Sequence, residues 1–438
     1  VADANPAQRN ATTEDPTYAD AVAWLTRRRR DGRPRDPAVA AALLARWGKP
    51  LPPAVVHVVG TNGKGTVAHL LAAMASAAGR RTGRFTSPHV EDLRERVAID
   101  GVPPTRADVV RFVDRARTLV APGIGFFEWT LAWAVDAFAD AAVDLAVVEA
   151  GVGARHDATL ALPNVIGTVL TNVDLDHVET LGPTLEDIAR DKAAVARPGV
   201  PLVTGARGVA LEVVAAEAAA VGAPLIAIDG ASALAAWPAG APPTPTGWPS
   251  TRSENARLAL ALARTLGWPE AALAAGLAAP APPARFERFA VPGARGPVAV
   301  VLDGAHDPAA AARLAAELPA AYVLVFGALA RKQAAATLAP LRARAAWVVR
   351  TSADADEPSA DVAADAAFED PEEAMAAAVA HAEAAGAAVV VAGSLHLAGR
   401  VRPWLRARSA GAGVVAEADA SDAGAMLGGR WDASGSSA

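Results

Sequence analysis

Residues 55–78 constrain the fold more than any other stretch of the chain. Val55-Val56-His57-Val58-Val59 is a short apolar run rich in β-branched residues, which predicts a strand. Gly60-Thr61-Asn62-Gly63-Lys64-Gly65 is a glycine-rich turn, and residues 66–78 form an alanine-rich helical run. A buried strand that feeds a helix through a tight loop needs parallel neighbours and helices on both faces. The alternation continues, with strands predicted at 145–148, 166–170, 202–204 and 225–228 and helices at 184–196 and 209–221. Residues 21–47 read as helical, interrupted by Arg27-Arg28-Arg29-Arg30 and Gly32-Arg33-Pro34. A proline-rich stretch at 237–249 precedes helical segments at 253–267 and onward to 277. Ala279-Pro280-Ala281-Pro282-Pro283 then breaks every periodicity, as a linker does. A second βα series follows, with strands at 298–302, 323–326, 347–350 and 389–391. Its helices are predicted at 309–317, 334–344, 372–385 and 395–407, with Pro340 expected to kink or restart the second.

Composition narrows the class. The chain has 438 residues, 52% hydrophobic and 20% charged, enough to bury large cores, so the bulk of it is not disordered. No run approaches the roughly 18 apolar residues of a membrane span. With no cysteine, disulfides, cysteine metal sites and thiol catalysis are excluded. A net charge of −6 gives no footprint for nucleic acid. The opening Val1-Ala2-Asp3-Ala4-Asn5 lacks the basic and apolar regions of a secretory signal, so a cytoplasmic location is expected. Only four lysines occur, Lys49, Lys64, Lys192 and Lys332, against 37 arginines. In so arginine-rich a chain, a lysine marks a place where a compact amine that can deprotonate is wanted.

Three strand ends carry candidate chemistry. The loop Gly60–Thr66 turns its N–H groups inward at a helix N-terminus, where phosphate binds, and Lys64 can reach the β- and γ-phosphates. Thr66 offers a hydroxyl to Mg²⁺ or phosphate. Gly65 intervenes between Lys64 and Thr66, so the strict phosphate-loop spacing is not met. Glu149 ends a predicted strand at the crevice where parallel sheets bind ligands, and after a phosphate loop it is the natural Mg²⁺ ligand. His177, in Thr171-Asn172-Val173-Asp174-Leu175-Asp176-His177, either contacts metal or phosphate or caps a helix. Asp174 and Asp176 fit turn residues as well as ligands. Lys192 has Ile188, Ala189, Val195 and Ala196 at helix spacing, none of them an acid to pair with.

Further motifs then fall in a familiar order: Thr86-Ser87-Pro88-His89-Val90, Arg94-Glu95-Arg96-Val97, Phe127-Glu128, Glu149 to Thr159, Asp191-Lys192-Ala193, Arg285-Phe286-Glu287, Leu302-Asp303-Gly304-Ala305-His306-Asp307-Pro308, Val325-Phe326-Gly327-Ala328-Leu329 and Gly393-Ser394-Leu395. Over about residues 21–405 the chain resembles the folylpolyglutamate synthase/dihydrofolate synthase family of the Mur ligase superfamily. The resemblance implies an α/β fold: a phosphate-loop ATPase domain with a mostly parallel sheet, then a smaller Rossmann-like C-terminal domain. The expected division is a mobile N-terminus at 1–20, the ATP-binding domain at 21–278, a linker at 279–284, the ligase domain at 285–407 and a flexible tail at 408–438.

The implied activity is ATP-dependent addition of L-glutamate to dihydropteroate or a reduced folate, through an acyl phosphate, by a monomer. The resemblance implies ATP contacts at Gly60, Thr61, Asn62, Gly63, Lys64, Gly65, Thr66, Asn255, Arg285 and Asp303. Two Mg²⁺ ions would be held by Ser87, Glu149, His177 and Lys192, the last as a carbamate, which only a neutral amine can form. Lys64, Lys192, His177 and His306 would be catalytic, with His306 and Ser394 at the incoming amino acid. The chain departs from the family pattern at Asp307, where Asn is usual, and at Arg331-Lys332-Gln333, where Asp-Lys-Asp is usual. The alternatives are a Mur-type ligase for another acid and amine, or a nucleotide-binding homologue without catalysis.

Overall fold

The computed structural model describes residues 16–28, 35–119, 123–229, 232–238, 248–330, 332–355 and 357–409. The expected mobile N-terminus and flexible tail, most of the proline-rich stretch and Arg331 lie wholly or largely outside these residues. In chain order the first half contains α1 (Pro16–Thr26), α2 (Pro37–Trp47), β1 (Val55–Val59), α3 (Lys64–Ala77), β2 (Thr82–Phe85) and β3 (Val97–Ile99). Then come α4 (Arg106–Thr118), α5 (Phe126–Asp140), β4 (Leu145–Glu149), β5 (Val165–Leu170), α6 (Val178–Leu181) and α7 (Leu185–Ala193). It closes with β6 (Leu202–Thr204), α8 (Gly208–Val221), β7 (Leu225–Ala227), α9 (Ser250–Thr265) and α10 (Glu270–Leu277). The second half contains β8 (Glu287–Pro292), β9 (Pro297–Leu302), α11 (Pro308–Glu317), β10 (Tyr322–Phe326) and α12 (Ala334–Arg342). β11 (Ala345–Thr351), β12 (Ala366–Phe368), α13 (Pro371–Ala385), β13 (Ala388–Ala392) and α14 (Leu395–Ser409) complete it.

Two sheets organise these elements. The first has the order β3-β2-β4-β1-β5-β6-β7 and the second β12-β11-β10-β13-β9-β8. Every pairing is parallel except β2–β3 and β8–β9 at one edge of each sheet. β1 lies centrally between β4 and β5, so the loops after all three open at the same sheet end. One face of the first sheet packs on α2, α4 and α5, burying Trp47, Phe112, Trp129, Trp133 and Phe138. The other face packs on α3, α9 and α10 through Leu70, Leu71, Met74 and Leu260. The second sheet is likewise covered on both faces.

The expected strands and helices are present within a few residues at each end. β2, β3, α4, α5, α6, β8 and β12 are additions. Pro340 does not restart α12: the helix continues through it and stops two residues later, at Arg342. Without an N–H the proline drops one bond of the last turn, which a helix end tolerates. No described helix is long and apolar enough to cross a membrane.

Candidate active site

A cleft of about 440 Å³ opens between the halves, lined by the loops after β1, β2, β4 and β5 and by Arg285, Asp303 and His306 of the second half. Its floor is the phosphate loop. α3 begins at Lys64 behind Gly63, whose φ of 81° is open to glycine. A Cβ at Gly63 would also lie 2.3 Å from Asn255 Oδ1 of α9, and one at Gly60 would lie 1.8 Å from Thr171 Oγ1. The glycines therefore admit close neighbours. The loop is tied to the segment after β5: Asn62 N donates to Asn172 Oδ1 (2.8 Å) and Thr171 Oγ1 donates to the Asn62 carbonyl (2.6 Å). Lys64 Nζ folds back onto the carbonyls of Gly60 (3.1 Å) and Thr61 (3.0 Å).

Lys192 approaches the same loop from below. It sits on the last turn of α7, only 3% exposed, and its Nζ donates to the Gly60 carbonyl at 2.9 Å. Burial, reinforced by the charge of Lys64, lowers its pKa to about 7. An amine so placed is partly neutral at neutral pH. Its neighbour Asp191 faces elsewhere and accepts Ala154 N at 2.7 Å, anchoring the loop after β4.

Glu149 ends β4 on the cleft wall, 3% exposed, with Oε2 accepting Ser87 N at 2.9 Å. Burial raises its pKa, while Lys64 and the Ser87 N–H oppose the rise. His177 is in the left-handed region (φ 53°) at the start of α6, without a side-chain cap, so the helix-cap alternative is not realised by its ring. Nε2 is 3.4 Å from Asp176 Oδ2, and burial lowers its pKa against the pull of Asp176.

From the second half, Asp303 directly follows β9 and accepts Phe286 N and Ala305 N, both at 2.8 Å. Burial raises its pKa, and Arg285 opposes the rise. His306 Nδ1 lies 3.0 Å from the Gly304 carbonyl, and burial holds its ring below the usual imidazole range. A carbonyl only accepts, so Nδ1 carries the proton and Nε2 keeps a lone pair.

The structure thus gathers Thr61, Asn62, Gly63, Lys64, Gly65, Thr66, Ser87, Glu149, His177, Asn255, Arg285, Asp303 and His306 on one cleft. Gly60 and Lys192 lie just beneath it. Ser394 is elsewhere: it is 4% exposed and its Oγ accepts His396 N (3.0 Å), capping α14, while the adjacent Leu395 lines the cleft. Among the described residues no three His, Asp or Glu side chains converge as a ready metal cage. Glu149 and the Ser87 hydroxyl are hard oxygen donors of the kind Mg²⁺ prefers, and would suit one such ion. Lys192 as an amine presents N–H groups to the loop and does not fit a second ion without modification. Sequence reading named Arg96 within a motif but gave it no role; it is buried at 6% exposure, and its Nε donates to His89 Nδ1 (2.8 Å) over the Phe126 ring. Sequence reading missed Arg313, for which only the spacing of cleft residues 310, 313, 314 and 317 along α11 was a signal.

Residues 284–395 match the family model of the Mur ligase glutamate ligase domain. A Halobacterium salinarum protein, named a "probable bifunctional folylpolyglutamate synthase/dihydropteroate synthase", is 37% identical over 434 residues, covering 89% of this chain and 52% of that protein. Escherichia coli FolC, solved with DHPP and ADP, superposes with a TM-score of 0.75 at 28% identity, over 89% of this chain and 98% of the other. In sequence and in fold the chain is similar to members of the folylpolyglutamate synthase/dihydrofolate synthase family. Another member, the bifunctional enzyme of Yersinia pestis complexed with AMPPNP and a Mn ion, gives a TM-score of 0.74 at 29% identity, over 89% and 98% of the two chains. The chain spans about half the length of the Halobacterium relative and nearly all of the solved family members.

Proposed function

We propose that this chain is an ATP-dependent ligase joining L-glutamate to the carboxylate of dihydropteroate or a reduced folate. The observation that carries the reading is one cleft holding the Lys64 phosphate loop, buried Glu149 and the neutral His306 imidazole. The acid carboxylate attacks the γ-phosphorus of ATP, ADP leaves, and an acyl phosphate forms. Lys64 and the loop N–H groups are placed for charge that builds on the transferring phosphoryl. The glutamate nitrogen then attacks the acyl carbon and phosphate departs, with His306 Nε2 accepting a proton from the amine. Ser87, Glu149 and His177 would hold Mg²⁺, which neutralises phosphate charge when bound. Lys192, with its lowered pKa, suits carbamylation, which would turn it into an oxygen donor for a second ion. Arg285 and Asp303 would bring the second half onto the nucleotide, with residues 279–284 as the hinge between two domains that shut water out. The reading is of a monomer working in the cytoplasm.

The test is ADP release with glutamate plus dihydropteroate, and separately plus tetrahydrofolate. Turnover with either supports the reading and says which acid is used. A well-folded protein that binds ADP but turns over with neither overturns it.

A further inference from the structure

Helix α11 faces the cleft along Ala310, Arg313, Leu314 and Glu317 and meets the first half at both ends. At its N-terminus Asp307 is 6% exposed and caps the helix, Oδ1 accepting Ala310 N at 2.8 Å. At its C-terminal end Glu317 accepts Ser250 N of α9 at 2.8 Å, and the Ser250 hydroxyl as well. Between them Arg313 Nη1 donates to Asp174 Oδ2 at 3.1 Å. In the Asn62 amide orientation that satisfies both neighbours, Arg313 Nη2 donates to Asn62 Oδ1 (2.9 Å) and Asn62 Nδ2 donates to Asp307 Oδ2 (3.3 Å).

These contacts close a ring. Asp174 Oδ2 also accepts from Asn172 Nδ2 (3.3 Å), and Asn172 Oδ1 accepts the backbone N–H of Asn62 (2.8 Å). One guanidinium therefore holds the phosphate loop twice: directly through the Asn62 side chain, and through Asp174 and Asn172 at the Asn62 backbone. A planar fork can do this where a point charge cannot. Arg313 and Asp174 are each about one-third exposed, 32% and 30%, so the link can open and close without disturbing a core.

We infer that Arg313 is a positioning residue by which the second half sets the phosphate loop when the cleft closes. The inference deepens the ligase reading above and rests on it for the turnover assay. It also predicts a signature. Lys64 and the loop's own N–H groups do not depend on Arg313, so its loss is expected to spare most nucleotide binding and to impair turnover.

The experiment compares wild type with Arg313→Ala, Arg313→Lys, Asp174→Asn and the Arg313→Ala/Asp174→Asn double variant. For Arg313→Ala, kcat is expected to fall about tenfold, within the usual range for coupled sites. The ADP dissociation constant should move less than about twofold. Arg313→Lys should fall between, and the double variant should be no worse than Arg313→Ala, because both act through one ring. Wild-type kcat in Arg313→Ala, equal losses in ADP binding and turnover, or additive losses in the double variant would each overturn it. A second measurement needs no ligase substrate. The chain has no cysteine, so cysteines introduced at exposed Glu212 and Glu373 take a dye pair cleanly. A non-hydrolysable ATP analogue should raise energy transfer more in wild type than in Arg313→Ala. Identical responses would overturn the inference whatever the ligase assay gives. A difference would sustain it even if neither folate turned over.

Discussion

His57 sits in the centre of β1, 1% exposed, and its protonation state follows from its neighbours. Thr159 Oγ1 donates its proton to Asp157 Oδ1 (2.6 Å), so the 2.7 Å contact between His57 Nε2 and Thr159 Oγ1 must be donated by the ring. Nδ1 is then the bare nitrogen, and it has no hydrogen-bond partner. Adding a proton there would bury a cation with nothing to accept from it. Burial first, then the charge of Arg197, lowers the pKa from 6.5 to about 3. Because the folded value is the lower one, the unfolded chain binds the extra proton between the two, and stability is lost as pH falls through that window. At about pH 4.5 the loss from this residue alone is roughly 2.7 kcal/mol relative to about pH 8. His57→Gln keeps an N–H near the Nε2 position and removes the titration. Urea unfolding followed by tryptophan fluorescence suits the measurement, because Trp47, Trp129 and Trp133 pack against the first sheet. The variant should be less stable at about pH 8 by a constant offset, and the gap should close or invert towards about pH 4.5. Curves that stay parallel across that range would show that His57 does not resist protonation, and the tautomer argument would fail.

Three further outcomes are expected. Lys64→Ala should retain the wild-type melting temperature while ADP release drops to background, since a loop side chain with two backbone contacts is lost from the phosphate site; near-normal ADP release would refute the role. Gly63→Ala should lose nucleotide affinity at least tenfold, combining positive-φ strain of about 1 kcal/mol with displacement of Asn255, as calorimetry with ADP can measure. Lys192→Arg should abolish ligase turnover while ADP still binds, because a guanidinium can neither deprotonate nor take up CO₂; wild-type kcat in this variant would show that positive charge suffices.

The phosphate loop and most of the parallel strands of both sheets were legible because buried parallel strands are short apolar runs and glycines punctuate them. The ends of those strands also carry Glu149 and Asp303, so topology turned a one-dimensional pattern into a site. What escaped did so for local reasons. In α5, residues 128–135 are all buried, so no polar stripe marks a helical period. β2, Thr82-Gly83-Arg84-Phe85, has no apolar run, and β3 is a three-residue strand at the antiparallel edge of the sheet. Ser394 looked like a substrate contact from its motif, yet the hydroxyl is used by the first turn of α14. Arg313 stands in an alanine-rich helix whose orientation only the tertiary packing decides.

Lys64 and Lys192 both donate to the Gly60 carbonyl, at 3.1 and 2.9 Å, in a chain with two other lysines. Lys49 is engaged by Asp140 and Asp136, far from that carbonyl on the α5 side. Amine-directed reagents, which scatter over dozens of positions on an ordinary protein of this size, find here a nearly blank surface. Arginine supplies the solubility and stays inert to them. A small acylating or carbonyl reagent would therefore meet four lysine side chains, of which Lys192 is buried, and protection of Lys64 by nucleotide would be readable from a handful of peptides.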